Sequence, residues 1–135
     1  MDTFDRTVPT DLAATKAHLA DALKTQGFGV LTEVDLQATF DAKLGEAHEG
    51  HTILGVCNPR LAKDALEVDR DVALLLPCTA TLREVDGGTE IRILSPASAF
   101  ELLDADVRDR LAGLAGDATT RLRAALDAVE VGAAV

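Results

Sequence analysis

A chain of 135 residues, 47% of them hydrophobic, is long enough to bury a core as one domain without disulfide or metal staples, and its mixed patterning excludes a disordered chain. Its 23 acidic and 13 basic residues leave a net charge of −10, with the lysines and arginines scattered, so it lacks the basic footprint that nucleic acid or an anionic membrane surface requires. No apolar run approaches the ~18–20 residues that span a bilayer, and the acidic start "MDTFDRTVPTD" has no secretion signal, so two cysteines without a framework pattern read as free thiols in a reducing cytoplasm.

Thr3–Val8 alternates apolar and polar residues and reads as a half-buried first strand. A helix follows, with Thr10 as its expected N-cap, Leu12, Leu19 and Leu23 on one face, and Gly27 as its C-terminal stop. Phe28–Val34 is β-branched and aromatic, a second strand. Asp35 caps a short helix with Leu36, Phe40 and Leu44 at spacing four. Gly45–His51 is a polar loop, and Thr52–Cys57 is an apolar third strand. Asn58 and Pro59 start the next helix together: Asn is a good N-cap, and proline's missing N–H costs nothing at the first helical position.

Val72–Val85 and Thr89–Leu94 flank Asp86-Gly87-Gly88, a strong hairpin turn, and read as strands four and five. Ser95 opens a helical region. From about Asp106 a long helix carries Val107, Leu111, Leu114, Ala118, Leu122, Ala125 and Val129 on one stripe. Gly113 and Gly116 cost helix propensity, so they are expected to mark close packing.

The fold class that results is α+β: a two-layer domain over residues 1–135, with a five-stranded antiparallel sheet and the main helices on one face. Strand four sits awkwardly in it, because Val72–Leu76 is apolar at every position and asks for burial on both faces. The short inserted helices or a partner subunit would cover the second face, and the expectation is a homodimer.

The segments "FGVLTEVDLQATFDAKLG", "ILGVCNPRLAKDAL" and "VALLLPCTATLRE" resemble the DUF 302 family, a prokaryotic family of unknown function, from about Phe4 to Val129. The Cys-Asn-Pro and Leu-Pro-Cys segments are the specific parts. The family typically has Asn after the second cysteine, where this chain has Thr79. The resemblance implies a dimer with a fold like the half-saddle of TATA-binding proteins; with a net charge of −10 that likeness is architectural. It brings no established activity, and the cofactor is unknown.

Two thiols carry what chemistry the sequence offers. Cys57 precedes a helix start, where the dipole favours a thiolate; the alternative is a small hydrophobe packed at a strand end. Cys78 follows Pro77, and a proline in a strand implies an edge, a bulge or a break, the bulge being favoured if the strand is central. Pairing Cys57 with about Val72 sets Cys78 opposite about His51, roughly 20 Å from Cys57 at ~3.4 Å per residue. On that register neither an intrachain disulfide nor a two-cysteine metal site is expected. It brings His51 to Cys78 instead, making His51, Cys78 and His48, with Glu46 and Glu49, the candidate zinc or copper ligands, and Cys78–His51 a candidate nucleophile pair.

Three readings follow: a binding module for a small molecule, with Cys57, Asn58, Pro59, Pro77 and Cys78 as candidate ligand-binding residues; a thiol redox, sulfur-transfer or soft-metal protein using Cys57 and Cys78; and a structural or regulatory dimer. No catalytic constellation is visible, and no Gly-rich phosphate loop.

Overall fold

The computed structural model describes residues 1–131. In chain order the elements are β1 (Thr3–Val8), α1 (Leu12–Thr25), β2 (Gly29–Asp35), α2 (Leu36–Leu44), β3 (His51–Cys57), α3 (Pro59–Val68), a 3-10 turn (Arg70–Leu75), β4 (Cys78–Val85), β5 (Gly88–Leu94), α4 (Pro96–Phe100) and α5 (Ala105–Asp127). The five strands form one antiparallel sheet in the order β1-β5-β4-β3-β2, leaving β1 and β2 at the edges. The α+β layout with helices on one face is the one the sequence indicates.

Period-two alternation decides which face meets the helices. Leu54 and Val56 of β3, Ala80 and Leu82 of β4, and Ile91 and Ile93 of β5 are buried, together with Leu19 and Leu23 of α1 and Leu122 and Ala125 of α5. A second, smaller cluster lies beyond the sheet: Ala65 of α3, Val72, Phe100, and Val107, Leu111 and Ala115 from the first half of α5. At 23 residues, α5 runs for about 34 Å and reaches both clusters. Arg6 of β1 holds its far end, Nη1 donating to the carbonyls of Leu126 (2.7 Å) and Asp127 (3.1 Å), where a cation suits the negative end of the helix. The Arg123 guanidinium sits 4.2 Å above the centre of the Phe4 ring and adds a cation–π contact to the same seam.

Local signals explain most boundaries. Asn58 Oδ1 accepts from the Leu61 N–H at 3.2 Å with Pro59 in the first turn, Asp35 caps α2, and Gly87 turns the β4–β5 hairpin at φ +79°. The cap of α1 is Asp11 rather than Thr10: its carboxylate accepts from the Ala14 N–H at 2.8 Å, one residue later than expected. Thr10 is buried instead, its carbonyl accepting from the Thr15 and Thr89 hydroxyls.

Two further expectations fail. Val72–Leu76 is not strand: Arg70–Leu75 coils as a 3-10 turn, a cis bond joins Leu76 to Pro77, and β4 begins at Cys78. Val72 is buried but Leu74 is 85% exposed, so the demand for burial on both faces disappears, and with it that ground for a dimer. Of the outcomes offered by Pro77, the break is the one realised. Nor do Gly113 and Gly116 mark close packing, because a Cβ at either would meet nothing within 4 Å.

Candidate functional site

The start of β4 fixes the register that matters. Val56 faces Cys78 and His51 faces Arg83. Cys78 therefore lies at the Cys57 end of β3, five residues along from the partner of His51, or about 17 Å at ~3.4 Å per residue. This overturns the expected separation of the thiols. It also removes Cys78 from the metal set with His51 and His48, and ends the Cys78–His51 nucleophile pair.

Instead, Cys57 and Cys78 line one small, partly open cavity at the seam between the two clusters. Phe28, Cys57, Asn58 and Cys78 form its wall at the end of the sheet; Leu61, Ala62 and Ala65 come from α3, Pro96 and Phe100 from α4, Leu114 and Ala118 from α5, and Leu76 precedes the cis bond. Its volume is about 40 Å³. A site needs about 10–15 Å³ on this measure for one water, so two or three waters or a ligand of a few non-hydrogen atoms would fit. The walls are almost wholly apolar. Larger hollows, beside α4 and α5 and beside α2, are open troughs on the surface.

Of the five candidate ligand-binding residues, Cys57, Asn58 and Cys78 reach this cavity, whereas Pro59 and Pro77 are not part of its wall. Pro77 packs on the other side of the strand, where Gly55 makes room: a Cβ there would fall 2.5 Å from Pro77 Cγ and collide with Thr32. Thr79, which pairs with Gly55, is exposed. The cavity residues on α3, α4 and α5 were missed, since they are ordinary members of helical stripes and only tertiary packing gathers them.

Asn58 is the brace of the site. While Oδ1 caps α3, its Nδ2 donates to the Gln26 carbonyl at 3.3 Å, tying the end of α1 to the start of α3. Gly27 allows this approach: its φ is +79°, and a Cβ there would sit 2.9 Å from Asn58 Nδ2.

The electrostatics correct a second expectation. Burial raises the Cys57 thiol above its ordinary value, despite the neighbouring helix start. Burial, and secondarily the charge of an ionised Cys57, push Cys78 up to about 11. Both thiols therefore stay protonated at neutral pH and offer the cavity no charge.

At the opposite end of β3, His48 Nε2 and His51 Nδ1 are 3.2 Å apart, and His48, Glu49 and His51 each bring a potential ligand atom within 4.8 Å of the other two. Glu46 lines the adjoining hollow with Asp41 and His48. His18, which had no partner in the sequence, has Nδ1 2.9 Å from the Glu130 carbonyl.

Residues 4–129 match the model of a domain of unknown function, DUF302. The chain belongs to the DUF302 family. A crystal structure of an uncharacterized conserved DUF302 protein from Bacillus stearothermophilus superposes with a TM-score of 0.85 at 28% identity, covering 96% of this chain and 99% of that one. No curated protein matches the sequence. The family brings no established activity, and no helix among the described residues is long and apolar enough to cross a membrane.

Proposed function

We propose that this DUF302 domain is a binding module that takes a small, uncharged, apolar molecule in the cavity closed by Cys57, Asn58 and Cys78, and that it works as a cytoplasmic homodimer. The cavity carries the reading. An apolar hollow of about 40 Å³ gives water no partners, so filling it with an apolar ligand is favourable. Two protonated thiols and an Asn already engaged in a cap and a brace give the cavity no charge, which favours a neutral ligand.

Xenon is the direct probe. Under xenon pressure, methyl NMR signals of Leu61, Ala62 and Leu114 should shift together and saturably, and Ala62→Leu, folded by circular dichroism, should abolish the response. Methyls that stay unmoved in the wild-type chain would sink the reading. For the dimer, support comes from edge strand β2, which is paired on one side and exposes Leu31 (63%) and Val34 (43%). Sedimentation should give twice the chain mass, falling to one for Leu31→Lys with Val34→Lys; a wild-type monomer refutes it.

A second reading is favoured by the shared cavity itself: the two cysteines are neighbours, so dithiol–disulfide chemistry or a soft metal is within reach. Titration of the native chain with a thiol reagent decides it. Cysteines that react only on unfolding exclude it, and rapid loss of both supports it.

A further inference from the structure

We propose that His48, Glu49 and His51 form a binding site for a borderline divalent transition-metal ion of the zinc class, separate from the thiol-lined cavity. The donors come from the loop entering β3 and from its first residue. The two ring nitrogens are 3.2 Å apart. With metal–nitrogen bonds of 2.0–2.1 Å, that separation subtends an angle of about 100–106° at the ion, close to tetrahedral. Two imidazoles and a carboxylate are a donor set suited to zinc-class ions, and the half-exposed setting leaves a position for water.

The rings are held before any ion arrives. Gln37 of α2 donates to the His48 carbonyl at 3.1 Å, and the Phe40 edge meets the His48 ring at 4.9 Å. The two imidazoles stack with planes 20° apart. Gly50 fixes the other side of the loop, its carbonyl accepting from the Glu84 N–H at 2.8 Å, with no Cβ to strike the Glu84 side chain. In the free protein one ring nitrogen donates to the other. Binding needs both lone pairs, so the donating ring moves its hydrogen to its outer nitrogen, and no proton is lost from a neutral pair.

Glu49 must be won from Arg83, which holds it at 3.5 Å while also bonding Glu90 at 3.3 Å. The looser of these two pairs is the one that has to open. Asp41 and Glu46, in the hollow beside His48, add negative potential for a cation.

Isothermal titration of the full chain with Zn²⁺ alone tests the site. The expected result is one ion per chain, at least tenfold weaker in His48→Gln and in His51→Ala and several-fold weaker in Glu49→Gln. Arg83→Gln should bind more tightly, and Cys57→Ser with Cys78→Ser should leave affinity unchanged. Co²⁺ should give visible bands of a tetrahedral ion without the near-ultraviolet band of thiolate ligation. Binding that survives both histidine substitutions, or disappears with the two cysteines, overturns the proposal.

Discussion

Protonation of Cys78 offers the sharpest test of the cavity. Raising a thiol from 9.0 to about 11 cuts its thiolate at pH 7 from about one part in 10² to about one in 10⁴. The more basic thiolate regains about eightfold in intrinsic nucleophilicity, so alkylation slows by about tenfold before any steric shielding. The same perturbation has a thermodynamic face. The folded state keeps its proton to higher pH than the unfolded chain, so the contribution is fully present below pH 9 and is lost as pH rises toward 11. Linkage gives a loss of about 1.3 kcal/mol between pH 8 and pH 10, and about 2–3 kcal/mol in all. The assay pairs iodoacetamide labelling of the native Cys57→Ser chain, read by mass spectrometry, with urea denaturation from pH 8 to 10 on wild type and Cys78→Ala. The alanine variant should lose that part of the alkaline decline. Labelling of Cys78 at the rate of a free cysteine, or an unchanged decline in Cys78→Ala, would refute the reasoning.

Four further substitutions probe the frame of the site by denaturant melts. Asn58→Ala removes the α3 cap and one of the two donors to the Gln26 carbonyl, leaving only Arg121, for a loss of about 1–2 kcal/mol; a neutral result would mean the brace is idle. Gly55→Ala places a methyl against the Pro77 ring and Thr32, with an overpacking cost of about 1–3 kcal/mol and faster labelling of Cys78 as the strand start is displaced. Gly113→Ala and Gly116→Ala meet open space and should each stabilise by up to about 1 kcal/mol, raising Tm by a few degrees; destabilisation would mean that these positions are crowded.

What the sequence made legible was mostly local. Asn58-Pro59, Asp86-Gly87 and Gly27 each pair a residue with a backbone need, so the elements they bound are found close to where expected. Val72–Leu76 reads as strand because an apolar run of strand length has no periodicity to separate a strand from a 3-10 turn that buries only Val72. Pro77 carried the correcting signal, a missing ladder donor, and reading it as a bulge instead of a break moved the register by five residues. That one shift sent Cys78 to the wrong end of β3. The histidines and Glu49 were legible as possible ligands, but the exclusion of Cys78 from their neighbourhood required the register. The cavity itself has no signature in the sequence, since its walls come from five separate elements and the chain between them.

The path of α5 has a further consequence. Its exposed glycines, 113 and 116, flank Leu114 and precede Ala118, where the helix leaves the smaller cluster for the sheet and passes over the cavity. Helical propensity is lowest at the roof of the cavity, so on the proposed binding reading transient unwinding there is the expected route for a guest, without melting the sheet. Under that reading, hardening the turn with alanine should lengthen the residence of bound xenon as well as raise Tm.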